Sequence, residues 1–212
     1  MRISLLFHTP LSICVQAGRT CWQSQERGGC YTIPTDEIIQ ADKDFLDRIL
    51  NKHKHGSVAE HLTYNFAIEG ISRACLQELA RHRHASLSVK SSRYTLKELK
   101  SEEDVVKNAS KYLVMSGNQQ VDEFSIQALK NLQTLLLEGI SNDLAKYAMP
   151  ESYKTSLAWS VNARALQNFL ILRSSKAALW EIRELAFALF EALPKEHRFL
   201  FEGVMNNEGE EK

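Results

Sequence analysis

The chain has 212 residues, with 26 Lys and Arg against 26 Asp and Glu, and 44% of its side chains are apolar. Nine Gly and four Pro are too few, and the apolar content too high, for a low-complexity, collagen-like or disordered chain. A formal net charge of zero also argues against a protein that coats nucleic acid, where excess Lys and Arg supply most of the affinity. The length suits one domain, read as residues 1–205 with a polar tail over 206–212. Cys14, Cys21, Cys30 and Cys75 form no C-x-x-C pair, so reduced thiols of a cytoplasmic protein are expected. The apolar run Ile3–Phe7 is broken by His8 and Pro10, short of the ~7–15 residues of a signal core. No run approaches the ~18 apolar residues of a membrane span, so no membrane partner is expected.

In chain order, Ile3–Phe7 reads as a strand and residues 10–22 as a helix. A turn-rich stretch, Glu26–Cys30, follows. Thr35 is expected to cap a helix, with Asp36 and Glu37 in its first turn and Ile38, Phe45, Leu46, Ile49 and Leu50 along its apolar face. Residues 62–69 give the cleanest strand signal: Leu62, Tyr64, Phe66 and Ile68 alternate with smaller or polar neighbours. Gly70 should close that strand. Ser72 should cap the next helix, which carries Cys75 and Leu79 inward and runs into Arg81-His82-Arg83 and then a loop. Apolar steps of three and four from Val121 through Phe124, Leu129, Leu132 and Leu136 to Leu144 predict one long helix over 121–144. Leu157, Trp159 and Val161 alternate as a strand. Asn162 can cap a helix bearing Leu166, Phe169 and Leu170, and a last helix covers 177–192. The sum is an α+β chain, richer in helix than in sheet.

The charge balance hides a local excess. From residue 81 to 93 stand Arg81, Arg83, Lys90 and Arg93, two histidines (His82, His84), four serines (Ser86, Ser88, Ser91, Ser92) and no acid. Guanidinium forks and hydroxyls suit a multiply charged anion; the plainer alternative is a solvated basic face. Within a helix Arg81 and Arg83 would point about 200° apart. Either the helix ends there, or each serves a different ligand or subunit. A second polar cluster is Asn162, Arg164, Asn168 and Arg173. Arg164 and Asn168 share a helix face, while Arg173 lies about 180° from Arg164. A polar outer face with an ordinary Asn cap is the alternative there. A third cluster is His55-Gly56-Ser57-x-x-Glu60-His61. Its spacing is not H-E-x-x-H, and no metal is expected, although a metal-dependent hydrolase on His55, Glu60, His61 and His82 is a competing reading. No nucleophile stands out: Cys75 falls on the apolar side of its helix, and Ser91 lacks a Gly-x-Ser-x-Gly elbow. Glycine-loop signatures for nucleotides do not occur.

Arg81-His82-Arg83 with Ser86, Ser91 and Arg93-Tyr94 resembles the signature of flavin-dependent thymidylate synthases. His55-x-Ser57-x-x-Glu60-His61 and Asn162-Ala163-Arg164-x-Leu166-x-x-Phe169-Leu170-x-Leu172-Arg173 resemble that family's upstream and downstream elements, in the same order. The resemblance spans residues 10–200. It implies a helix-rich α+β domain with a small, mostly antiparallel sheet, assembled as a homotetramer with active sites between subunits. It implies methylation of dUMP to dTMP, with methylenetetrahydrofolate giving the carbon and FAD reduced by NADPH giving the hydride. By the same resemblance Ser57, Arg81, His82, Arg83, Asn162, Arg164 and Asn168 hold FAD. Glu78, Arg81, Ser91, Ser92, Arg93, Lys146 and Arg173 surround dUMP, with Arg173 favouring ionisation of the uracil N3. The chain departs from the family pattern in Ser88 and Val89, which replace Asn and Glu, in Glu78 with Gln77 beside it, and in Lys146 for Arg. The competing reading from another class is a nucleic-acid-binding module using residues 81–93.

Overall fold

In β2 (Thr63–Ser72) the two-residue alternation sends Tyr64, Phe66 and Ile68 into the interior, as the sequence predicts. The computed structural model describes residues 1–205, except the side chains of Tyr94 and Thr95; the polar tail lies outside the described residues. β1 (Arg2–His8), β2, β3 (Ala85–Val89) and β4 (Lys154–Asn162) form one antiparallel sheet in the order β1-β2-β4-β3. Leu157, Trp159 and Val161 are the buried face of β4.

Two strands pass directly into helices through a side-chain cap. Ser72 Oγ accepts the Cys75 N–H at 2.9 Å and starts α3 (Arg73–Ala80). Asn162 Oδ1 accepts the Ala165 N–H at 2.9 Å and starts α5 (Ala163–Arg173). The other long helices are α1 (Leu11–Cys21), α2 (Gln40–Leu46), α4 (Gln119–Leu137) and α6 (Trp180–Ala192).

Four expectations are corrected. Gly70 does not end β2; at φ +74° it occupies a conformation glycine takes at little cost, and the strand runs on to Ser72. The stretch after Arg83 is not all loop, because residues 85–89 pair as β3, a polar edge strand with little buried surface to announce it. Thr35 caps no helix: α2 starts at Gln40, and Asp36 is drawn away. Its Oδ1 accepts the Leu11 N–H at 2.9 Å, and its carboxylate meets His8 and His197. Burial alone would raise the Asp36 pKa, but hydrogen bonds from His8, His197 and Leu11 outweigh it and hold the carboxyl below its ordinary range. Finally, α4 begins at the Asn118 cap and ends before Gly139 (φ +89°), so Leu144 sits on a separate turn, Asn142–Ala145. Leu129, Leu132 and Leu136 are buried, while Val121, Phe124 and Leu144 face solvent.

The chain divides into two compact units. One holds Met1–Arg2, Ile68–Arg81 and Ser88–Leu157, cored by Leu96, Leu99, Leu113, Leu129, Leu132 and Leu136. The other holds Ile3–Ala67, His82–Leu87 and the chain from Ala158 onward. Its interior is aromatic: Phe66 lies 6.2 Å from Trp159, and Trp159 lies 5.3 Å from Phe169, centroid to centroid. A buried ion pair, Arg19 to Asp42 at 2.6 Å, also takes the Gly29 N–H and the Tyr31 hydroxyl onto Asp42. That gathering anchors the turn-rich stretch. No helix among the described residues is long and apolar enough to cross a membrane.

In the first unit Glu102 organises the approach to α4. It accepts from Asn108 at 2.8 Å, Lys111 at 3.2 Å and Tyr112 at 3.1 Å. These bonds, led by Asn108, lower its pKa from 4.5 to about 2. The carboxylate therefore adds stability that is fully present above its unfolded pKa and is lost as pH falls through about 2. The urea midpoint of Glu102→Gln should trail the parent at neutral pH, and the gap should narrow as pH falls below about 4.5 and close only below about pH 2. A gap that widens in acid would contradict the assignment.

Candidate active site

Most of the expected flavin-contacting residues lie in the second unit. Ser57 sits exposed on the short helical turn Gly56–Ala59. Arg164 passes close over Gly56 beside it: a Cβ there would meet Arg164 Nε at 2.8 Å, and the flexible arginine would have to shift. Arg164, in the first turn of α5, lies across that turn and donates from Nη1 to Glu60 Oε1 at 2.6 Å. Glu60 therefore orients a guanidinium, which the sequence reading had not assigned to it. Asn168 is exposed one turn beyond Arg164 on α5. Asn162 spends its Oδ1 on the cap. Arg83 is exposed just beyond the unit boundary.

Arg173 closes α5. Its Nε donates to His82 Nε2 at 3.0 Å, although the two are 91 residues apart. His82 in turn stands edge-on to Phe169, at 4.9 Å between centroids and 72° between planes. Phe169 packs on Trp159, which is fully buried. A train of rings thus leads from the interior to the imidazole that accepts from Arg173. Sequence spacing placed Arg173 opposite Arg164 but offered no signal for its pairing with His82.

The first unit carries the remaining residues. Arg81 is the C-cap of α3, so the helix does end at the double arginine; this is the first of the options that its geometry left open. Glu78 Oε1 lies 3.8 Å from Arg81 Nη1, one helical turn away. Gln77 is occupied differently, donating to Glu151 at 2.9 Å. The Glu78 carboxylate therefore faces a cation on its own helix. Val89, 41% exposed, ends β3, and the Lys90 N–H continues the pairing onto the Ser156 carbonyl at 2.8 Å. Ser91, Ser92 and Arg93 follow at the start of the turn Ser92–Thr95. Arg93 is gripped on both sides: Asp143 lies 2.8 Å from its Nε, and Asn142 Nδ2 donates to its carbonyl at 2.6 Å. Lys146 opens the turn Lys146–Ala148, with its ammonium 5.9 Å from the Tyr147 ring centroid. Cys75 is buried in α3.

A family model described as "Thymidylate synthase complementing protein" matches residues 4–197. A flavin-dependent thymidylate synthase of Campylobacter jejuni is 59% identical over 98% of this chain and 99% of its own length. The chain belongs to the flavin-dependent thymidylate synthase family. A relative of the same name from Wolinella succinogenes is 59% identical over 99% of this chain and all of its own. Among solved structures, thymidylate synthase X of Helicobacter pylori with FAD and dUMP is similar with a TM-score of 0.89 and 52% identity, covering 98% of this chain and 100% of that one. The chain is accordingly an enzyme of a methyl-transferring class.

Because Arg173 Nε donates to it, His82 Nε2 acts as the acceptor and the ring proton belongs on Nδ1. Nitrogen NMR of selectively labelled protein at neutral pH should give a pyridine-type shift for His82 Nε2. A protonated Nε2 would break this pairing.

Proposed function

We propose that this chain methylates dUMP to dTMP, drawing the carbon from methylenetetrahydrofolate and the hydride from NADPH by way of bound FAD. The observation that carries the reading is the guanidinium of Arg173, aimed by His82 at the end of α5, in a chain 52% identical to a relative solved with FAD and dUMP. The donor set fits an anionic dinucleotide. Ser57, His82, Arg83, Asn162, Arg164 and Asn168 offer hydroxyl, amide, imidazole and guanidinium donors, joined by Arg81. Gly56 keeps a Cβ out of the space that Arg164 crosses. Bound FAD would supply two-electron transfer between NADPH and the incoming carbon.

The protein's own groups then bind and polarise. Arg81, Ser91, Ser92, Arg93, Lys146 and Arg173 hold dUMP. Glu78 steadies Arg81, and Asp143 steadies Arg93. A fixed cation beside the pyrimidine favours negative charge at N3, which enriches C5 in electron density toward the carbon donor. C5 exchanges its proton for a methyl group and the folate departs as tetrahydrofolate. Charge-assisted bonds of this kind contribute about 1.5–3 kcal/mol each. No step requires a cysteine nucleophile, in keeping with the buried Cys75.

Exposure of Ser57, Arg81, Arg83, Ser91 and Arg93 in the single chain supports a homotetramer whose subunits complete one another's sites. The nucleic-acid reading is the weaker one. Arg81, Lys90 and Arg93 stand within 4 Å of Glu78, Glu98 and Asp143, which offset the local charge that such binding needs. We place the activity in the cytoplasm and within residues 1–205 as one functional domain.

Arg173→Ala should purify with its flavin absorbance intact and lose about 100-fold in kcat for dTMP formation. Loss of flavin with unchanged turnover per bound flavin would show that Arg173 serves the cofactor instead.

A further inference from the structure

Three segments distant in sequence meet at one carboxylate in the second unit. Asp36 Oδ2 lies 2.6 Å from Nε2 of His8, at the end of β1. Asp36 Oδ1 lies 2.7 Å from Nε2 of His197, on the helical turn Lys195–Leu200. One ligand atom from each residue lies within 4.8 Å of the others. The two imidazoles stand perpendicular, at 87° with centroids 5.0 Å apart, so their Nε2 atoms approach the carboxylate from different directions.

A further set of contacts holds these groups in place. His197 is fully buried, and its Nδ1 lies 2.7 Å from the Tyr64 hydroxyl. The Leu11 N–H fixes Asp36 Oδ1 at 2.9 Å. Such outer partners orient metal-binding imidazoles and select their tautomer. The side chains of His8 and Asp36 keep 26% and 24% of their exposure, which leaves a side open to an ion and to water. Among the described residues Asp36 pairs with no Lys or Arg, unlike Asp42, whose charge Arg19 already answers.

We propose that His8, Asp36 and His197 form a binding site for a divalent transition metal of the zinc class. Two imidazole nitrogens and one carboxylate oxygen are the donors such an ion takes, with water completing a tetrahedron on the open side. In a tetrahedral site with bonds of 2.0–2.1 Å, donor atoms stand about 3.3 Å apart, between the 2.6–2.7 Å of the present contacts and the 4.8 Å that bounds the set. The metal takes the Nε2 lone pair of each ring. The ring proton then resides on Nδ1, from which His197 donates to the Tyr64 hydroxyl oxygen. The ion would tie β1, the loop before α2 and the turn at 195–200 to one point. His8 and His197 lie 28 and 161 residues from Asp36 along the chain, so no local spacing could reveal the set. The spacing of His55, Glu60 and His61 predicts no metal, and those residues take no part here.

The test uses the whole chain and no enzyme assay. Titrated cobalt(II) should produce visible d–d bands of a tetrahedral ion that saturate at one equivalent and are erased by zinc. His8→Gln, a change at a partly exposed position, should weaken cobalt binding by at least about 100-fold, and Asp36→Asn should do likewise. His61→Gln should bind as the parent does. Saturating zinc should raise the parent Tm by about 5 °C and leave His8→Gln unmoved, with circular dichroism verifying that the variant is folded. The proposal is overturned if no saturable band forms at millimolar cobalt, which would leave a hydrogen-bonded clamp only. It is equally overturned if binding survives in His8→Gln, or if a thiolate-to-cobalt band reports Cys21 or Cys30 instead.

Discussion

One side-chain cap turns a repeat of two into a repeat of 3.6. Along β4 the alternation buries Leu157, Trp159 and Val161. At Asn162 the amide oxygen accepts the Ala165 N–H, and the chain leaves the sheet as α5 without a loop between them. That junction sets the phase of the helix. Leu166, Phe169 and Leu170 go inward, Arg164 and Asn168 outward, and Arg173 ends beside His82. A cap of this kind is worth about 1 kcal/mol, yet the direction of every functional group on α5 follows from it. Ser72 performs the same task between β2 and α3 and so delivers Arg81 at a helix end.

Three of the candidate-site cations stand close to acids. Arg164 answers Glu60, Arg93 answers Asp143, and Arg81 stands near Glu78. Exposed pairs add little to stability. Such contacts restrict the orientations open to flexible guanidinium groups. Arg173 also donates from Nε to an imidazole, that of His82.

Much of the scaffold was legible in the residues. The alternation through Tyr64, Phe66 and Ile68 gave β2, and Ser72 and Asn162 announced both caps before any coordinates. The three ordered motifs pointed to the family that the comparisons then identified. What escaped reading depended on partners far away in sequence. Asp36 looked like a first-turn acid but is captured by His197, 161 residues on. β3 is a polar edge strand whose pairing, and not its composition, makes it a strand. The approach of Arg164 to Gly56, and the pairing of Arg173 with His82, have no local signal. The apolar steps toward Leu144 overran a helix that Gly139 had already stopped.

The proposed activity requires that this polypeptide carry an electron-transferring flavin that works on a pyrimidine nucleotide. Anaerobic absorbance of the purified protein examines it most directly. NADPH should bleach the flavin band, and dUMP with methylenetetrahydrofolate should restore it with one dTMP formed per flavin. A colourless protein, or a bleached flavin that recovers only when air is admitted, would contradict the account.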